Sequence, residues 1–485
     1  MYYPSLAEVK KLAGQGNLIP ISREIVADLE TPVSAFLKIK TSQNAFLLES
    51  VEGGERVARY SFIGANPYKV ITAYQTDTVP PLKQVENELS KYRLVQVGEL
   101  PRFCGGAVGF LGYEAVTRFE ELPSPSSDPL NLPEAVFMLV DTMLVFDHIS
   151  HSIKVLSYVH TEEDIEASYN KAIQNIEKLI SQLRQPLAKT ELKPAPAGVP
   201  EIKSNFKQTD FESRVSKIRD YLNSGEAIQV VLSQRLSRPT LAHPFDIYRA
   251  LRSVNPSPYM YYLDFGDFQI VGASPEVLVR VEDGEVMTRP LAGTRKRGKT
   301  QAEDIRLEQE LRQDEKECAE HIMLVDLGRN DIGRISRPGT VRITDVMDVE
   351  RYSHVMHLVS HVQGKLKEDI TPFEALESCF PAGTVSGAPK IRAMEIIAEM
   401  ETEKRGIYAG AVGYFSYSGN MDMAIAIRTM VVKGGVAHLQ AGCGIVSDSV
   451  PESEYQETLN KAQALLKALD RAENMATEKP HVVTN

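Results

Sequence analysis

The sequence predicts an α+β fold: largely antiparallel sheets forming a β-sandwich-like core, with helices packed outside. Two observations carry this expectation. Strand-like and helix-like segments do not alternate one for one, as a parallel βαβ sheet requires. Neighbouring strand-like segments are joined by short turn sequences, Asp283-Gly284, Ser418-Gly419-Asn420 and Lys433-Gly434-Gly435, which suit antiparallel connections.

The early chain is strand-rich. Segments 45–48, 107–111, 136–146 and 153–159 are apolar and dense in β-branched or aromatic residues. Residues 163–183 then carry Ile165, Ala172, Ile173, Ile176, Leu179, Ile180 and Leu183 on one stripe, the pattern of an amphipathic helix. Four prolines and little apolar content mark 184–200 as linker. The expected domains are 1–183, a linker at 184–204, a second domain at 205–470 and a polar tail at 471–485. In the second domain Phe211, Val215, Ile218 and Leu222 mark a helix. Strands follow at 228–236, 259–265, 268–272 and 277–281, and Asp283-Gly284 turns the chain into 285–289. One long helix is expected at 302–327, a meander of strands at 408–417, 422–432 and 436–441, and a last helix at 452–469. Gly106-Ala-Val-Gly-Phe110 is echoed by Gly410-Ala-Val-Gly-Tyr414, which reads as two similar strands rather than a duplication.

Composition excludes several classes. The 485 residues leave room for a large core, and a net charge of −11 argues against non-specific nucleic-acid binding. No apolar run is long enough to span a membrane, and the first residues lack the apolar segment of a signal peptide. Cys104, Cys318, Cys379 and Cys443 have no metal-site spacing and read as reduced thiols of a cytoplasmic protein.

The chemistry gathers in the last third. Glu317 with Glu320, and Glu454 with Glu457, are spaced i, i+3 in helical segments, so each pair shares a face. Such pairs are either solvated surface or a cage for Mg²⁺, which takes hard oxygen ligands and shares itself with anionic substrates. Between them lies Pro381-Ala-Gly-Thr-Val-Ser-Gly-Ala-Pro389, either an ordinary helix entry or a Gly-rich loop offering N–H groups to an anion. Arg428, in Ala424-Ile-Ala-Ile-Arg-Thr-Met430, needs an anion or a structural carboxylate if buried. Lys461 follows the second pair by one helical turn.

Four motifs in order resemble the chorismate-utilising enzymes: Glu317-Cys-Ala-Glu-His-Ile-Met-Leu-Val-Asp-Leu-Gly-Arg-Asn-Asp331, the 381–390 loop, Ala441-Gly-Cys-Gly-Ile-Val446 and Glu454-Tyr-Gln-Glu457. The resemblance covers roughly 206–469. It implies Mg²⁺ on Glu320 and Glu457, supported by Glu317 and Glu454. It implies chorismate contacts from Gly293, Thr294, Tyr408, Arg428, Gly442, Cys443, Gly444 and Lys461. It implies catalytic roles for Glu276, the general acid, and for His357 and Thr384 in the same pocket. Family members that add water carry a Lys where this chain has Gln229, and those that form a covalent amine adduct carry a Lys where it has Ala292. Both differences resemble the branch that uses ammonia and releases anthranilate and pyruvate. Alternatives are an enzyme that stops at the aminated intermediate, and a non-catalytic tryptophan sensor.

The same resemblance extends to regulation and partners. Leu47-Leu-Glu-Ser50 and Asn255-Pro-Ser-Pro-Tyr-Met260 are similar to the two segments of a tryptophan feedback site, implying contacts from Ser50, Pro258, Tyr259 and Met260. No Cys is followed by the His and Glu of a glutaminase. Ammonia is therefore expected from a separate glutaminase subunit in a hetero-oligomer, or from free ammonium.

Overall fold

The computed structural model describes residues 1–41, 43–51, 59–187, 201–352 and 355–475. Most of the expected linker (188–200) and the end of the tail (476–485) lie outside the described residues. Ahead of the linker come β1 (Leu18–Val26), β2 (Ala45–Glu49), β3 (Tyr60–Ala65), β4 (Lys69–Ala73), β5 (Gly106–Leu111), β6 (Ala135–Val140), β7 (Met143–Asp147) and β8 (Ser152–His160). After it come β9 (Lys203–Ser204), β10 (Gln229–Pro239), β11 (Tyr259–Asp264), β12 (Phe268–Ser274), β13 (Val277–Glu282), β14 (Glu285–Thr288) and β15 (Leu291–Lys296). The last are β16 (Arg342–Arg351), β17 (Val355–Lys365), β18 (Gly387–Ala388), β19 (Ala411–Ser416), β20 (Met421–Ile425), β21 (Thr429–Lys433) and β22 (Val436–Ile445).

Among the described residues these strands form two sheets. One runs β1-β8-β7-β3-β2-β11-β12-β21-β22-β10-β18, with β9 beside β10; the other runs β15-β17-β14-β13-β20-β19-β5-β6-β4, with β16 on β17. Pairings between these strands are antiparallel, as expected. Strands from before and after the linker are neighbours in both sheets, through β2 on β11 and β5 on β19.

The pairings repeat. In the first half β1 pairs β8, β8 pairs β7, β7 pairs β3, β3 pairs β2, β6 pairs β4 and β5. In the second half β10, β22, β21, β12, β11, β20, β13 and β19 take the same places. The helices Pro32–Ile39 and Pro244–Val254 correspond, and Phe36 and Phe245 stack across the junction at 4.6 Å. The echo of 106–110 in 410–414 is thus part of a repeated topology and not only two similar strands. Its members pair directly, with Gly109 opposite Gly413.

Side chains such as Phe46, Phe62, Phe110, Tyr261, Val412 and Tyr414 fill the space between the sheets. Helices cover the outer faces: Ile165–Leu183 and Pro451–Met475 on the first sheet, Glu315–Ile335 and Pro372–Cys379 on the second. The stripe of 163–183 is inward, with Ala172, Ile176, Leu179, Ile180 and Leu183 buried. The chain is thus an α+β sandwich with helices outside.

Three local expectations are corrected. Segment 136–146 is two strands in different sheets, bent at Asp141-Thr142. Both are buried and apolar, so the bend shows only as two polar residues inside what reads as one strand. The predicted helix 302–327 is two, Gln301–Gln313 and Glu315–Ile335, because the Asp314 carboxylate accepts the Lys316 and Glu317 amides at 3.1 Å and starts a new helix. The last helix runs to Met475, so the first residues of the expected tail, Arg471 onward, are helical; the buried Ala472 shows why. Among the described residues no helix is long and apolar enough to cross a membrane.

A Cβ on Gly109 would collide with the Val136 carbonyl of the adjacent strand. Gly109→Ala should therefore cost about 3 kcal/mol, read as a lowered urea midpoint, while alanine at the open turn position Gly419, where nothing lies within 4 Å of a new Cβ, should cost about 1 kcal/mol for its positive φ alone.

Candidate active site

The segment predicted as one strand at 422–432 is also two. β20 ends at Ile425 in the second sheet, β21 begins at Thr429 in the first, and Ala426-Ile427-Arg428 crosses between them. Arg428 is therefore at a crossover, with φ +48°, a conformation costly for a side chain and held here by its surroundings. The Ala273 amide donates to the Arg428 carbonyl at 3.1 Å, and the Ile425 amide to the Glu276 carbonyl at 3.0 Å. These bonds set Arg428 beside Glu276.

Glu276 is 7% exposed. Burial pushes its carboxyl up to about 8, against the pull of the Thr384 hydroxyl and of the Arg428 and Arg289 charges. The Thr384 oxygen is buried and has no partner at normal hydrogen-bond geometry, so its pull is that of a near neighbour. Burial lowers the Arg428 pKa and Glu276 raises it, yet no ion pair joins Arg428 to a carboxylate among the described residues. Of the two roles open from sequence, the structural salt bridge is not the one the fold supplies. A half-buried guanidinium without a carboxylate partner is a place for an anion.

His357, on β17, is 4% exposed, and burial pushes its imidazole down to about 4, so it is neutral at pH 7. Its Nδ1 lies 2.8 Å from the Gly293 carbonyl and 3.1 Å from the Thr294 hydroxyl. A carbonyl only accepts, so Nδ1 carries the hydrogen and Nε2 is left as a proton acceptor. Ala292 pairs with Leu358 and is buried, with no amine to offer.

The carboxylate pairs meet at Glu320. It is half-buried, and its pKa is raised by burial first and then by the Glu317 charge, with Glu457 adding and Gln229 and Lys461 opposing. Gln229 Nε2 lies 3.4 Å from Glu320 Oε1. Glu317 is held by Arg295 at 2.9 Å. Lys461 bridges Glu457, at 2.7 Å, and the Gly442 carbonyl, at 2.9 Å. Glu454 sits against Ser449 and the Cys443 thiol, with its pKa raised by burial. Among the described residues no three Asp, Glu, His or Cys side chains converge tightly enough to hold a metal by themselves. Mg²⁺ commonly takes only one or two protein carboxylates and completes its shell with water and substrate oxygens, and Glu320 with Glu457 fits that donor set.

Gly442 and Gly444 leave room for side chains: a Cβ on Gly442 would come within 2.6 Å of the Tyr408 hydroxyl, and one on Gly444 would strike the Gln229 amide. Between them Cys443 turns its buried thiol into the core with Phe211 and Val230, so only its backbone faces the pocket side.

The four residues expected at a regulatory site also come together. Ser50, Pro258, Tyr259 and Met260 line one cavity where β2 pairs with β11. Sequence reading missed its polar wall. Tyr259 donates to Asp422 at 2.9 Å and accepts from Arg280 at 2.9 Å, and Arg280 pairs with Asp422 at 2.9 Å. The signal was available: Arg280 and Asp422 are opposite charges inside apolar strands, the reasoning applied to Arg428.

Residues 43–467 match the family of chorismate binding enzymes. The chain is 50% identical to anthranilate synthase component 1 of Acetivibrio thermocellus, across 97% of this chain and 99% of that protein. It is 47% identical to anthranilate synthase component 1 of Pseudomonas aeruginosa, across 96% and 98%. The crystal structure of anthranilate synthase component I from Streptococcus pneumoniae superposes with a TM-score of 0.77 at 40% identity, covering 91% of this chain and 98% of that one. With its acid, unpaired guanidinium and facing carboxylates in the matched region, this chain belongs to the chorismate binding enzyme family.

Proposed function

We propose that the chain converts chorismate and ammonia to anthranilate, pyruvate and water. The observation that carries this reading is the pairing of a protonated Glu276 with a guanidinium that has no carboxylate of its own. Acid and anion site share one pocket. Arg428 binds a substrate carboxylate. Ammonia forms the C2–N bond, both ring double bonds shift by one position, and the C4–O bond breaks as Glu276 donates its proton to the departing hydroxyl. Gln229 offers no base, and ammonia needs none. In the second half the ring loses its C2 proton, the C3–O bond breaks, and the departing enolpyruvate takes up a proton at its methylene carbon to become pyruvate. His357 Nε2, neutral and fixed by its Nδ1 bond, is suited to take that proton. Bound at Glu320 and Glu457, Mg²⁺ would offset the negative charge that these carboxylates and the substrate bring together.

Ammonia comes from a partner glutaminase, so the working particle is a hetero-oligomer. Support lies in the relatives' designation as a component and in the thiols: burial raises the pKa of Cys104, Cys379 and Cys443, the reverse of nucleophile activation. The cavity at Ser50 and Tyr259 takes tryptophan as inhibitor. Its Arg280–Asp422 pair stands on β13 and β20, the strands that begin after Glu276 and end before Arg428. A ligand that prefers one setting of this strand pair shifts the catalytic pair by its differential affinity.

Purified chain given chorismate, Mg²⁺ and ammonium should produce anthranilate fluorescence and equimolar pyruvate. Glu320→Gln should cut the rate at least about 100-fold; an unaffected variant, or anthranilate without pyruvate, defeats this reading. At fixed free ammonia, kcat/KM for chorismate should be level below the Glu276 pKa, about 8, and fall about tenfold per pH unit above it, since the acid must hold its proton to act. A profile flat to pH 10 removes Glu276 from that role. Ser50→Tyr, which fills the cavity, should weaken tryptophan inhibition at least about tenfold while kcat stays within about twofold.

A further inference from the structure

Arg405, just after the helix Lys390–Met400, is 3% exposed, and no functional role has yet been assigned to it. Its Nε and Nη2 donate to the two Glu401 oxygens at 2.8 and 2.6 Å. Nη1 donates to the Val385 carbonyl at 2.8 Å and Nη2 to the Val231 carbonyl at 2.9 Å. The guanidinium is flanked by the rings of Tyr113, at 4.7 Å, and Tyr408, at 5.5 Å.

Each partner touches a wall of the pocket. Val385 follows Thr384 in the Gly-rich loop. Val231 stands opposite Gly444 in the β10–β22 ladder. Glu401 also accepts the Ser233 amide and hydroxyl, at 2.9 and 2.8 Å, and Ser233 stands opposite Gly442. Tyr408 is itself a pocket residue. From the other half of the chain, Glu114 accepts the Arg405 and Gly406 amides at 2.7 and 3.0 Å, fixing the turn that leads to Tyr408. A planar fork satisfies a carboxylate and two carbonyls at once while stacking between two rings; a lysine ammonium does not.

Building on the proposed chorismate site, we propose that Arg405 is its positioning residue: it sets the spacing of the Thr384 loop, the Gly442–Gly444 strand and Tyr408 without touching substrate. The test compares the purified chain with Arg405→Lys, in the presence of Mg²⁺, by calorimetric titration with chorismate and by initial rates. Lysine should weaken chorismate binding at least about tenfold and raise KM by the same factor, leaving the KM for ammonia within about twofold. A role in folding alone would instead lower the active fraction and kcat, leaving affinity and KM unchanged, and that result overturns the proposal. If Arg405→Lys does not fold, Glu401→Gln, which keeps the volume but weakens the bidentate pair, should show the same tenfold loss; unchanged affinity there likewise overturns it. A wild-type chain that binds chorismate without making anthranilate would refute the proposed reaction and leave the binding comparison to decide on Arg405. A wild-type chain that binds no chorismate overturns both.

Discussion

Where β5 meets β19, Gly109 faces Gly413, and a Cβ on either would run into the carbonyl of the strand beyond, Val136 or Asp422. With no side chain at this crossing, the second sheet can run unbroken from one half of the chain to the other. The first sheet does the same through β2 and β11, with Glu49 opposite Met260. Every larger feature depends on these two junctions. They bury the aromatic layer between the sheets, bring Phe36 onto Phe245, and create the cavity at Ser50 and Tyr259. A ligand in that cavity touches both halves because the cavity exists only where they join.

The repeated framework makes the differences between the halves informative. Both halves send a strand from one sheet to the other, at Asp141-Thr142 and at Ala426-Ile427-Arg428. The first crossing carries an acid, satisfied locally by the Thr142 hydroxyl at 3.1 Å. The second carries a guanidinium with no such partner beside a buried carboxyl. Between β4 and β5 the first half places the short helix Pro81–Leu89. At the equivalent point, between β13 and β19, the second half inserts β14 to β18 and four helices, and these bring Glu317, Glu320, His357 and Thr384. The chemistry is thus an insertion on one side of a nearly symmetric frame, closed by the last helix with Glu454 and Glu457.

Period and spacing made much of this visible in the chain. The i, i+3 carboxylates could be read because helical geometry converts spacing into a shared face. The stripe of 163–183 and the Asp283-Gly284 turn followed equally local rules. The sheet crossings could not be read. Strands buried on both faces are apolar runs, and a polar residue inside such a run, Asp141-Thr142 or Arg428, does not by itself say that the chain changes sheet there. The break at Asp314 had a mark, an Asp three residues before Glu317, but the helical pattern on both sides outweighed it. Arg405 was hard to read for another reason: Glu401, four residues before it, is a visible partner, but the Val231 and Val385 carbonyls are backbone atoms distant in sequence and carry no side-chain signature.

Burial gives the pocket its electrostatic logic. It raises the pKa of Glu276 and Glu320 and lowers that of Arg428, so the pocket resists charge of either sign. An anion seated on Arg428 changes that balance in one direction. It takes up the guanidinium charge that opposes protonation of Glu276, and adds a negative charge close by, so the Glu276 proton is held more firmly with substrate bound than without. The acid is then most completely protonated when a leaving hydroxyl is in reach to receive the proton. On the proposed reading, the same field would disfavour a polycarboxylate unless a divalent cation stood at Glu320 and Glu457. Selectivity for such a substrate therefore follows from the cost of charge in a buried site, before any shape-specific contact is counted.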